Sequence, residues 1–197
     1  MSSSKREQLL DAAIELFYRH GCHTTGVDKV LAEAGVAKMT LYKHFKSKEE
    51  LVLAAAERFH DRAKREFEAA IASKDYTPRQ RLIAMFDVLA NWLRESDYRG
   101  CPSINLAVEY PQIDHPIHQA AANHKRQRIV YMRELAAAAG AREPQQLAEQ
   151  LVLLLEGATV MAQLNGNLDL VERARATAEQ LIEAALPENA TLTDKSV

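Results

Sequence analysis

Thr24-Thr25-Gly26-Val27-Asp28-Lys29-Val30, then Ala34-Gly35-Val36-Ala37-Lys38-Met39-Thr40-Leu41-Tyr42-Lys43-His44-Phe45-Lys46-Ser47-Lys48-Glu49-Glu50-Leu51, spells two short helices joined by a tight turn. Thr25, with Asp28 three residues on, marks a helix start, and Val27, Val30, Leu31 and Ala34 give that helix an apolar side. Gly35 supplies the left-handed residue of a tight turn. A second short helix follows, in which Leu41 and Phe45 stand four apart and face inward. Helices of about eight residues are not stable alone, so neighbouring helices must brace this pair.

That arrangement is a helix-turn-helix, in which the second helix enters the major groove of DNA and the first crosses behind it. With Leu41 and Phe45 inward, the residues left facing out are Lys38, Met39, Thr40, Tyr42, Lys43 and His44. Cations, hydroxyls and a phenol are the groups that phosphate oxygens and base edges require. The alternative for the segment is a small helical hairpin with a solvated basic face.

On either side, capping signals parse the rest. Ser4 with Glu7 forms a capping box before a helix stopped by Gly21; Ser47 with Glu50 opens a helix to about Ser73. Thr77-Pro78-Arg79-Gln80 opens another, to about Asp97. Breakers then cluster at Gly100, Pro102, Pro111 and Pro116 around a short apolar piece, Ile104 to Val108. Helices from Pro116 to Ala139, Pro144 to about Leu164, and from an Asn167 cap through Leu186 complete the chain, with a polar, frayed tail from Glu188. No segment shows sustained period-2 alternation, so the fold class is all-α.

Composition bounds the class of protein. The 197 residues suit one domain or two small ones at roughly 150 residues each. Seven glycines and six prolines are about half of average usage, which disfavours sandwiches, propellers and disordered chains. The longest strictly aliphatic run, Leu151 to Leu155, is far short of the ~20 residues of a membrane span. With no apolar leader after Lys5 and Arg6 and only Cys22 and Cys101 for thiols, the reading is a cytoplasmic, reduced chain. Net charge is −2, yet residues 1–48 hold eight Lys/Arg against five acids, a +3 head on a −5 remainder.

The quoted stretch resembles the head of TetR-family transcriptional repressors, most specifically in Tyr42-x-His44-Phe45-x-Ser47-Lys48-Glu49. The resemblance implies a three-helix DNA-binding domain over residues 1–48, a larger helical effector-binding and dimerisation domain over 49–187, and a flexible tail over 188–197. It implies a homodimer on a palindromic operator in double-stranded DNA, released by a small molecule. By the same resemblance Thr25, Tyr42, His44 and Lys48 contact phosphates, while Lys38, Met39 and Thr40 lie nearest the bases, with Lys43 beside them. Thr25 is read as capping a helix whose positive end faces a phosphate. Lys48 stands in the first turn of the next helix, where a cation is unfavourable and so suggests another duty. The chain departs from the family at Ala37, Leu31 and Met39, which leaves its operator sequence its own.

The Pro144 helix is apolar nearly all round, which a monomer surface does not tolerate. The resemblance pairs it and the last helix with their symmetry mates through Leu151, Leu154, Leu155, Ala158, Ala162, Ala174, Ala178 and Leu181. The alternative is that these residues fill an internal core. An effector pocket is expected among Phe59, Phe86, Trp92, Tyr110, Tyr131 and Met132, with Asn105, Glu109, His118, His124, Arg128 and Glu156 as polar anchors.

Gly100-Cys101-Pro102-x-x-Asn105-x-x-x-Glu109 is similar to a stretch in some members of the family whose cysteine senses electrophiles or oxidants, which makes Cys101 a candidate sensor thiol; Cys22 reads as packing. Asp114, His115 and His118 lack any compact metal-ligand spacing. No glycine-rich phosphate loop or G-x-S-x-G is present, so neither an enzyme, a metal nor a cofactor is expected. The competing reading of the whole chain is an all-α small-molecule binding protein without DNA recognition.

Overall fold

Ser4 and Glu7 start the first helix as their spacing predicts. The Glu7 amide donates to Ser4 Oγ at 3.3 Å and the Ser4 amide to Glu7 Oε2 at 3.1 Å. From this cap runs α1, Lys5–His20, in a computed structural model that describes residues 4–72 and 75–187. The 188–197 tail lies outside the described residues. Then come α2 (Val27–Ala34), α3 (Lys38–His44), α4 (Lys48–Ala72), α5 (Pro78–Glu95), α6 (Pro102–Glu109), α7 (Pro116–Ala138), α8 (Pro144–Asn165) and α9 (Asp169–Ala185). No strand occurs among the described residues. The fold is all-α.

Local chemistry sets most boundaries. The Thr77 hydroxyl accepts the Gln80 amide at 3.2 Å and the Gln80 side chain returns the bond to the Thr77 amide at 2.9 Å. Ser47 Oγ accepts the Glu50 amide at 3.1 Å, which opens α4. Gly35, at φ +61°, ends α2 in the left-handed conformation, with its amide donating back to Leu31 and Ala32. Pro102 takes the first position of α6, so that helix starts two residues before the apolar piece itself. Asn167 stands outside α9, its side chain accepting the Asp169 amide at 3.2 Å.

By packing, the chain divides into two compact units. One holds the chain up to Lys64 together with Cys101–His124; the other holds Arg65–Gly100 and the chain from Lys125. The first unit thus groups α6 and the first part of α7 with the head helices. Its core is Leu9, Leu10, Ala13, Val30, Leu41, Phe45 and Leu51, joined by Leu106, Tyr110 and Ile117. Within it α1 packs on both α2 and α3, the bracing that two such short helices need.

The second unit packs α5, α8 and α9 against one another. Leu82, Met85, Phe86, Leu93, Met132, Leu151, Leu155, Ala178 and Ile182 fill its core. Helix α8 is long and apolar enough, at mean hydropathy 1.3, to match a membrane crossing by length and composition. Its Leu147, Leu151 and Leu155 are at most 2% exposed, so that apolar content serves a protein core.

Candidate nucleic-acid interface

Helix α3 is oriented by two side chains. Leu41 is fully buried and Phe45 is 2% exposed; each hides apolar surface worth about 2 kcal/mol. Four residues apart, they define the inward face. The guanidinium of Arg6 lies over the Phe45 ring, 5.3 Å from its centroid, and covers it from the α1 side.

The outward face follows from that orientation. Lys38, Met39, Tyr42 and Lys43 are exposed, Met39 at 86%, while Thr40 and His44 are half-buried. Lys38 Nζ lies 3.3 Å from Asp28 Oδ1 on α2, an exposed ion pair of the kind worth little in water. Lys48 Nζ donates to the His23 carbonyl at 3.4 Å and ties the start of α4 to the turn after α1. Its position in a helix's first turn therefore has a reason inside the fold.

Thr25 requires correction. The residue at the cap position before α2 is Gly26, with no side chain capping the helix, and Thr25 is fully buried. The Thr25 hydroxyl donates to the Leu16 carbonyl at 3.4 Å, which seats the turn on α1. A hydroxyl turned inward reaches no phosphate, so Thr25 leaves the set of contacts.

The turn between α1 and α2 is held by a residue expected elsewhere. Glu109, at the end of α6, accepts the Cys22 amide at 2.9 Å on Oε1 and the His23 amide at 2.7 Å on Oε2. His23 Nε2 donates to the Glu109 carbonyl at 2.8 Å, and the Tyr110 ring lies 4.8 Å from the His23 ring. Gly21 makes room for this, at φ +83°, since a Cβ there would stand 3.2 Å from Glu109 Oε1. Burial, with Glu109 close by, pushes the Cys22 thiol up to about 12. Burial likewise pushes the Tyr110 phenol up to about 12. His118 Nδ1 donates to the Tyr110 carbonyl at 2.8 Å. Glu109, Tyr110 and His118 are thus tied to the turn after α1 and to one another.

The other expected pocket residues divide between the two units. Phe86 and Met132 are fully buried in the core of the second unit. Trp92 and Tyr131 pack against that core from its edge, and Arg128 stacks over Phe67 at 4.9 Å. Glu156 pairs with Lys125 at 2.6 Å. In the first unit Phe59 lies 5.9 Å from the Tyr18 ring, and Asn105, half-buried, donates its amide to the Cys101 carbonyl. His124 stacks on buried His60 at 4.2 Å, and both present a ring nitrogen to Ser103 Oγ, at 3.0 and 2.9 Å. One hydroxyl has one proton to give, so at least one ring offers it an N–H. Cys101, half-buried, is the residue just before α6.

The expected dimer residues also need correction. Leu151, Leu155, Ala158, Ala162, Ala174 and Ala178 are buried within the single chain, 9% exposed at most. Only Leu154 and Leu181 keep partial exposure. The apolar residues that α8 leaves exposed are Leu153 at 72%, Met161 at 38% and Leu164 at 74%.

Comparison with known proteins agrees with this geometry. Residues 9–55 match the family described as "Bacterial regulatory proteins, tetR family", and residues 78–178 match "Tetracyclin repressor-like, C-terminal domain". The HTH-type transcriptional regulator YjdC of Escherichia coli is 25% identical over 92% of this chain and 95% of its own length. The HTH-type transcriptional activator FasR of Mycolicibacterium smegmatis is 38% identical over 55% of this chain and 50% of its own. A crystal structure of a TetR-family transcriptional regulator from Streptomyces coelicolor superposes with TM-score 0.85 at 28% identity, over 94% of this chain and 91% of that one. The second match alone spans half of the sequence, and the first spans the helix-turn-helix: the chain belongs to the TetR family of DNA-binding transcriptional regulators.

Proposed function

We propose that the chain is a cytoplasmic, homodimeric repressor that leaves a palindromic operator when a small molecule binds. The observation that carries this is the outward face of α3, where Lys38, Met39, Tyr42 and Lys43 stand clear of solvent-excluded Leu41 and Phe45. The head over residues 1–48 reads DNA; residues 49–187 hold the effector and the dimer contact. Lys38, Met39 and Thr40 face bases, and Tyr42, Lys43, His44 and Lys48 face phosphates, which fix register without carrying sequence.

The dimer face follows from what the single chain leaves uncovered. Leu153, Gly157, Met161 and Leu164 form a stripe at helical spacing on α8. On the adjacent α9, Ala176, Thr177 and Ala184 are exposed and small enough to admit a close neighbour. A palindromic operator offers each copy one half-site, the two lying one helical turn, or a multiple of it, apart. A small-molecule effector releases DNA only by binding better to a state whose heads are wrongly spaced. Nothing in this reading requires catalysis.

The test is a mobility shift on duplex fragments from the chain's own upstream region, with sedimentation at micromolar concentration alongside. Retardation that weakens steeply with salt, by a species of twice the chain mass, supports the reading. A monomer, or free DNA at low salt, overturns it.

A further inference from the structure

We propose that Met39 reads the C5-methyl group of one thymine in each half-site, making it a specificity-determining residue of the DNA contact; this rests on the operator reading above. Leu41 and Phe45 fix the inward face of α3. Met39 precedes Leu41 by two residues, about 200° around the helix, so it points straight away from the head. At 86% exposure it is the most exposed large apolar side chain among the described residues. It is also the second residue of α3, in the turn that a recognition helix advances toward base edges.

Its neighbours leave it that role. Lys38 leans toward Asp28 on α2, Thr40 is half-buried, and Tyr42 and Lys43 stand nearly a turn further along. The polar cations of Lys38 and Lys43 bracket it, so the apolar tip that enters the groove between them is that of Met39. A thioether has no proton to donate and accepts weakly. Pressed against guanine, cytosine or adenine it would desolvate polar edges and give nothing back. In the major groove the only apolar group among the bases is the thymine methyl. An unbranched, polarisable side chain adapts its shape to reach it.

The experiment selects duplexes from a random pool with the full-length protein and then replaces each thymine of the enriched site, one at a time, by deoxyuridine. That exchange removes the methyl and leaves every hydrogen-bonding group in place. Wild type should lose about fourfold in affinity at one thymine per half-site, the equivalent of one methyl group returned to water. Met39→Ala should bind the thymine and deoxyuridine duplexes equally, while Met39→Leu should keep the preference. Circular dichroism on both variants confirms that the helices persist. If no deoxyuridine weakens wild type, or if Met39→Ala keeps the same preference, the proposal is wrong. If selection enriches no sequence, the operator reading falls first and this one with it.

Discussion

Glu109 holds His23: the carboxylate at the end of α6 accepts the amide of the turn between α1 and α2 at 2.7 Å, across 86 positions of sequence. Its second oxygen takes the Cys22 amide, and the His23 ring returns a bond to the Glu109 carbonyl. Backbone amides just past a helix end need partners, and here a single distant residue supplies two of them. The turn so fixed leads directly into α2 and α3.

Removing that carboxylate should loosen the head. Hydrogen bonds to charged groups are worth about 1.5–3 kcal/mol, and partial exposure places Glu109→Gln near the lower value and Glu109→Ala near the upper. Urea denaturation reads the loss; DNA affinity should fall with it. Unchanged stability in Glu109→Ala would show that the turn holds without it.

Gly21→Ala should also destabilise, by about 1–2 kcal/mol, because φ is +83° there and the added Cβ would crowd the same carboxylate. Combined with Glu109→Ala, the loss should be less than the sum of the two. A double-mutant cycle in denaturant measures this, and strict additivity would mean that the two residues do not share a contact.

On α8 the two sides should separate cleanly. Leu155→Ala, in the core, should cost about 2–5 kcal/mol of stability in each chain. Leu153→Glu and Leu164→Glu, at exposed positions, should leave helicity intact and convert the dimer to monomer. Sedimentation and thermal unfolding of the same samples distinguish the two effects. A dimeric Leu153→Glu, Leu164→Glu double variant would move the interface elsewhere.

The two thiols should differ in reactivity. Cys22, 1% exposed and with its thiol pushed up to about 12, carries almost no thiolate at pH 8. A maleimide at that pH should label Cys101 and spare Cys22 until the protein unfolds. Because the folded thiol loses its proton less readily than the unfolded one, the stability it lends is complete below pH 9 and is lost as pH rises from 9 toward 12. Labelling of Cys22 in the native protein, read by mass spectrometry, would contradict its burial.

What was legible in the sequence was whatever local chemistry decides. Ser4 with Glu7, Thr77 with Gln80 and Ser47 with Glu50 each form their caps as the spacing says. The inward face of α3 followed from Leu41 and Phe45 alone. Thr25 misled because a cap and an inward hydroxyl share one local pattern, and its acceptor, Leu16 O, lies nine residues upstream on another helix. Helix α8 misled because a helix apolar on most sides does not say which side its own chain will cover; α5 and α9 took Leu151 and Leu155. The role of Glu109 at the turn has no sequence signal, since its partners there are remote and are backbone amides, which every residue carries.

The DNA contact proposed for α3 in a dimer is read by titrating the full-length protein against a selected palindromic duplex across a range of salt. Two chains per duplex should bind, with log affinity falling linearly in log salt, and Lys43→Ala, which removes one phosphate contact from each chain, should make that slope shallower by about 2. Binding of one chain per duplex, or a slope unmoved by Lys43→Ala, would contradict the account.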